Sequence, residues 1–167
     1  VLVFLQNAYS LKYAGRRWPY RLWLSSTLKS RTGSKLRIFS AAVGGHENRY
    51  ATTTPAVGAT PDSAFPPESA HIRAELARRP DLVVCLGRQA ERSVPAMCAC
   101  PVLVAPHPSY RVVTNALFVR LAEEARSVLD SGDPSFRVTK LFQRRGYVES
   151  ATLQPGTPNA CTNDSSN

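Results

Sequence analysis

Two polar stretches in this chain stand where short apolar runs stop abruptly, and their residue types can do chemistry. Gln6-Asn7 follows Val1-Leu2-Val3-Phe4-Leu5, and His107 follows Val102-Leu103-Val104-Ala105 within Pro106-His107-Pro108-Ser109. Side-chain amides are not tolerated in an apolar core without partners. Histidine is the side chain whose ordinary pKa places its charge change near neutrality. In an open α/β sheet, ligands bind just outside the carboxyl ends of the strands, so polar groups placed there are site candidates. Asn7 as a simple turn cap is the competing reading, and a histidine between prolines is otherwise structural.

These residues need strands and helices to hold them. Val1 to Leu5, Leu82 to Leu86 and Val102 to Ala105 read as strands buried on both faces, since each is an unbroken apolar run bounded by turn residues. Gly87-Arg88-Gln89-Ala90 turns the second run directly into a helix, which is half of a βα unit. Arg21 to Lys29 has helical spacing and breaks at Ser30-Arg31-Thr32-Gly33. Ser34 is placed to cap a helix through Leu36, Ile38 and Phe39 to Val43, ended by Gly44-Gly45. Tyr50 to Thr54 is β-prone and stops at Pro55. Pro66-Pro67-Glu68 opens a helix with Ile72, Leu76 and Ala77 as its stripe, and Asn115 to Leu129 is amphipathic. Arg137 to Tyr147 mixes basic residues with aromatics and reads as a short helix or a DNA-facing arm. Ser150 to Asn167 is polar and aperiodic, so a folded domain over 1–149 and a disordered tail over 150–167 are expected. There is no internal repeat.

A chain of 167 residues with 43% hydrophobic content suits one domain with a proper core. Its 21 basic and 12 acidic residues leave a net charge of +9, which favours a polyanionic partner, most commonly nucleic acid. Lys12, Arg16, Arg17 and Arg31 lie in or near a loop rich in tyrosine and tryptophan, a mixture suited to holding phosphates and stacking on bases. A packed loop with solvated arginines is the alternative. No apolar run is long enough to span a bilayer and no charged region precedes the first one, so neither a membrane partner nor a signal peptide is expected. Cys85 reads as a buried thiol, and Cys98 and Cys100 lack the spacing of zinc ligands, so a reduced cytoplasmic protein without metal is expected.

Several segments, in the same order, resemble the uracil-DNA glycosylase superfamily. Gln6-Asn7-Ala8-Tyr9 resembles its Q-D-P-Y motif, with Asn for Asp and Ala for Pro, and His107-Pro108-Ser109 matches its H-P-S motif. Pro80 to Ala90 looks like its strand leading to a G-x-x-A turn, and His46 to Pro55 resembles the stretch that carries its base-reading asparagine. The resemblance covers most of Val1 to Leu129.

What it implies is the release of uracil from DNA by hydrolysis of the glycosidic bond, in base excision repair. The sugar becomes oxocarbenium-like, and the departing base must be extruded, read and stabilised as an anion. On this resemblance His107 donates to uracil O2 and Asn7, which cannot ionise, positions the attacking water. Gln6 belongs to the substrate pocket and Tyr9 excludes the thymine methyl. Asn48 reads the base edge, with a turn cap as its alternative, and Trp23 stacks on the base, with Trp18 and Tyr20 as rivals. Ser109, Arg16 and Arg17 contact DNA, and Arg111 plugs the base stack or holds a phosphate. Neither metal nor cofactor is implied. The expected architecture is a three-layer α/β/α sandwich with a short, mostly parallel sheet, acting as a monomer on single- or double-stranded DNA with free uracil as product. A superfamily relative that binds uracil or DNA without cutting is the first rival, favoured by Asn7. A hydrolase of free nucleosides or nucleotides is the second, disfavoured by the basic charge.

Overall fold

The computed structural model describes residues 1–6, 31–43, 48–56, 65–144 and 147–153. The side chains of Arg31 and Thr32 are not among them. Six strands form one sheet: β1 Leu2–Leu5, β2 Arg49–Thr52, β3 Val83–Leu86, β4 Val102–Ala105, β5 Val138–Arg144 and β6 Tyr147–Leu153. Their order across the sheet is β2-β1-β3-β4-β5-β6. All neighbours run parallel except β5 and β6, which form an antiparallel hairpin. Four helices are described: α1 Arg31–Val43, α2 Ser69–Leu76, α3 Arg88–Ser93 and α4 Asn115–Ser131. Among the described residues no helix is long and apolar enough to cross a membrane.

The alternation of side chains along each strand divides the core in two. Val3, Leu5, Val84, Leu86, Leu103 and Ala105 face α1 and α4, against Leu36, Phe39, Leu117, Phe118 and Leu121. Leu2, Phe4, Val83, Cys85, Val102 and Val104 face α2 and α3, against Ile72, Ala90 and Val94. That is the three-layer sandwich expected from apolar runs covered on both sides. The first connection leaves β1 in one direction with α1 on one face. The next two run the other way across the opposite face, through α2 and α3. The order therefore reverses between β1 and β3, and in open α/β sheets ligands bind beyond the carboxyl ends of the strands at such a switch point. The β4–α4–β5 connection keeps the second direction but returns to the α1 face, so its hand is opposite to that of the other three.

Local details depart from the sequence reading in four places. Helix α1 begins at Arg31, ahead of the expected cap at Ser34, because burial of Leu36, Phe39 and Val43 outweighs the cost of Gly33 in its first turns. The β-prone run at Tyr50–Thr54 is strand only over Arg49–Thr52. Ala77 caps the C-terminus of α2 and is exposed, leaving Ile72 as that helix's buried residue. The segment from Arg137 is not a short helix but holds β5, with Thr139 and Leu141 buried and Lys140 and Arg144 exposed. Its partner β6 runs to Leu153, past the boundary expected after residue 149. Gly132, at φ 62°, ends α4 in the left-handed conformation that glycine adopts at little cost.

Candidate functional site

The carboxyl edge of the sheet is tied together by backbone before any functional side chain is considered. Thr53, the residue after β2, donates its N–H to the carbonyls of Leu5 and Gln6 at 2.9 and 3.0 Å. Its hydroxyl donates to the Gln6 carbonyl at 2.9 Å. Gln6 is thereby fixed at the end of β1, and its Nε2 is buried with no hydrogen-bond partner among the described residues. Such an orphaned donor is costly, of order 1–3 kcal/mol, so a group that accepts from it gains from the site as built. At the end of β3, Gln89 of α3 donates its Nε2 to the carbonyl of Phe65, and its Oε1 is buried and unpartnered among the described residues. Two complementary amide atoms, one donor and one acceptor, thus stand at the ends of the strands that flank the switch point.

His107 joins them from the end of β4. Gly87 ends β3 with φ 95°, a conformation that disfavours side chains, and its N–H donates to Ala105 at 2.9 Å. A Cβ at Gly87 would lie 3.0 Å from the Cβ of His107. The imidazole can sit against the β3 turn because residue 87 has no side chain. The Ser109 N–H donates to His107 Nδ1 at 3.2 Å, and the Ser109 hydroxyl lies 2.7 Å from the same nitrogen. A backbone N–H can only donate, so Nδ1 is an acceptor and the ring proton resides on Nε2. Nε2 is thereby left as the ring nitrogen that can donate.

The loop that carries His107 is anchored from the far layer. Lys35 of α1 is 5% exposed, and its Nζ donates to the carbonyl of Pro108 at 2.8 Å and, more weakly, to that of Tyr110 at 3.4 Å. The loop folds on itself through bonds from Tyr110 N–H to the His107 carbonyl and from Val113 N–H to the Tyr110 carbonyl. Its tip exposes Tyr110, Arg111 and Val112, an aromatic, a cation and an apolar side chain in succession. Ser109, beside His107, is exposed at the same edge.

Asn48 is not part of this site. It immediately precedes β2, whose Arg49 pairs with Leu2, and the Arg49 N–H bonds to the Val1 carbonyl. Asn48 therefore lies at the amino edge, five residues before Thr53, about 16 Å of strand away at ~3.3 Å per residue. Its assignment as the base-reading residue is corrected on that ground: a residue ahead of a parallel strand faces the wrong end of the sheet. Thr53 occupies the carboxyl end of β2 in its place. The cavity lined by Arg49, Arg78, Arg79 and Asp81 is likewise at the amino edge, away from His107.

Asn7, Tyr9, Arg16, Arg17 and Trp23 lie outside the described residues, as do Lys12, Trp18 and Tyr20. Of the expected site residues, Gln6, His107, Ser109 and Arg111 are placed at one edge. Gly87, Gln89, Lys35 and Thr53 were not expected there. The G-x-x-A turn marked Gly87 and Gln89, whereas nothing local to Lys35 points to a loop more than seventy residues away.

The three described cysteines are free and clustered on the α3 side. Burial pushes the Cys98 thiol up to about 12 and raises Cys85 and Cys100 as well. Among the described residues no three His, Cys, Asp or Glu side chains are grouped to hold a metal ion. Comparison with protein-family models, with curated proteins and with solved structures found no match for this chain.

Proposed function

We propose that this chain is a uracil-DNA glycosylase that hydrolyses the bond between uracil and deoxyribose without a cofactor. The observation that carries the reading is His107, fixed at the carboxyl edge beside Gly87 with Nδ1 engaged as an acceptor and Nε2 left to donate. A preorganised donor suits a base that leaves as an anion, because the donor's dipole is already oriented when charge develops. Gln6 Nε2, without a partner among the described residues, adds a second donor at that edge, and Gln89 Oε1, likewise without one among them, adds an acceptor. Donor and acceptor together suit the carbonyl and imide faces of uracil. Asn7, by its resemblance to the family motif, positions the attacking water. The net charge of +9 and the exposed Tyr110-Arg111-Val112 tip suit a nucleic-acid substrate with a flipped base. Three free thiols suit the reducing cytoplasm, and the protein acts there as a monomer.

Thr53, and not the amide of Asn48, stands at the carboxyl end of β2, which favours a second reading: a domain that binds uracil or DNA without cutting. One experiment separates the two. Single- and double-stranded DNA carrying one uracil is incubated with the protein and chelator, then treated with alkali to cut at abasic sites. Cleavage only at uracil, reduced by about 10²–10³-fold in His107→Ala, is the expected result. Intact strands together with retained DNA binding would replace the glycosylase by the binding domain.

A further inference from the structure

We propose that the open face of the β5–β6 hairpin is a docking surface for single-stranded nucleic acid running away from the His107 edge. Register fixes the hairpin's position. Val104 pairs with Lys140, so the strand direction puts Leu141 level with Ala105 at the end of β4. The last three residues of β5 run about 10 Å beyond that edge, at ~3.3 Å per residue. Gln143, in this overhang, accepts from both the N–H and the hydroxyl of Thr114, at 3.1 and 3.0 Å. The overhang is thereby fastened to the end of the same loop that begins with His107.

The two faces of the hairpin differ in chemistry. Leu141 and Val148 pack into the core against α4. On the other face, Phe142 and Arg144 stand beside Tyr147, which register places opposite Arg144. Tyr147 is 76% exposed, and the Arg144 guanidinium lies 5.4 Å from the centre of the Phe142 ring. Lys140 on this face is engaged by Glu91 of α3. Glu149, opposite Phe142, is its acid, and Arg144 makes no ion pair among the described residues. An exposed tyrosine and a half-buried phenylalanine flanking a guanidinium with no ion pair among the described residues can stack on unpaired bases and neutralise a phosphate. With a net charge of +9, charge complementarity makes a polyanionic strand the occupant.

The inference rests on the proposed function only for the identity of the polyanion. Its test is fluorescence anisotropy of labelled, uracil-free single-stranded DNA with the full chain across a salt series. Wild type, Arg144→Glu and Tyr147→Ala are compared, with uracil release assayed in parallel. Arg144→Glu is expected to weaken binding about tenfold and flatten the log–log salt slope by about 1. Tyr147→Ala is expected to weaken it at least about fivefold with the slope unchanged, as loss of stacking requires. Both side chains are exposed, so both variants keep the wild-type fold. Hairpin-dependent binding without uracil release upholds the docking surface and removes the glycosylase. Wild-type binding by both variants, or no binding by the wild type, overturns the docking surface whatever the uracil result. Loss of a dimer on sedimentation, with DNA affinity unchanged, overturns it in favour of a second copy of this chain.

Discussion

The ammonium group of Lys35 donates to the carbonyl of Pro108 at 2.8 Å, joining the helix after β1 to the residue that follows His107. A buried cation is expensive to desolvate, and carbonyls deprived of their donor are costly too. These two costs nearly cancel in Lys35→Met, so its unfolding free energy should change by less than about 2 kcal/mol in urea titrations. The loop should lose its anchor all the same. Uracil release should fall at least about tenfold, an increment of ~1.4 kcal/mol, and the His107 ring nitrogen resonances should shift. Lys35→Arg should restore part of both. A Lys35→Met protein with wild-type release and an unmoved imidazole would show that the anchor is idle.

Gly87→Ala should be among the more damaging substitutions in the core. It adds a side chain at φ 95° and places its methyl 3.0 Å from the Cβ of His107. The backbone strain alone costs about 1–3 kcal/mol. Combining the change with His107→Gly removes the collision but leaves the strain. Urea midpoints of the four proteins in that cycle should therefore show partial, never full, recovery.

The residues after and before β2 should respond in opposite ways. Thr53→Val removes the hydroxyl bond to the Gln6 carbonyl and should cost about 0.5–1.5 kcal/mol, with altered activity at that edge. Asn48→Ala removes a buried oxygen that has no partner among the described residues. It should leave stability nearly unchanged and uracil release intact. A glycosylase abolished by Asn48→Ala but indifferent to Thr53→Val would reverse the assignment of edges.

The raised thiols predict an alkaline limit to stability. Cys98 titrates near 12 when folded because burial opposes its thiolate, and solvation in the unfolded chain returns it to the ordinary thiol range near 8.5. Its contribution is complete below that unfolded value, and it falls as pH rises toward 12, because the unfolded chain sheds the proton first. Unfolding free energy should thus decline between about pH 8.5 and 12, and Cys98→Ala should flatten the decline. Alkylation of the native protein at neutral pH should be slow at Cys85, Cys98 and Cys100.

What the chain betrays about itself depends on how its elements are solvated. β1, β3 and β4 are covered on both faces, so they appear as unbroken apolar runs in Leu2–Leu5, Val83–Leu86 and Val102–Ala105. β5 and β6 are covered on one face only, and Lys140, Arg144 and Glu149 dilute the signal until it reads as a basic arm and a tail. His107 and Gln6 were legible because a polar residue after a buried run has one address, the carboxyl edge. Asn48 was misplaced because motif order along a chain does not say which end of a strand a residue occupies; its position before Tyr50-Ala51-Thr52 does. Lys35 lies within a helix whose apolar spacing says nothing of its partner, since a bond to a residue 73 positions away leaves no local pattern.

The hand of the β4–α4–β5 connection bears on how the chain assembles. A strand added in the prevailing hand would extend the wrapping already under way on the α3 side. Instead the chain returns through α4 to the α1 layer before β5 lies along the edge of β4. The hairpin itself needs only a two-residue reversal between Arg144 and Tyr147 and can zip by local pairing at any time. β5 and β6 meet the sheet through β4 alone and meet the core through α4, so the placement of this end of the protein hangs on one helix packed beside α1.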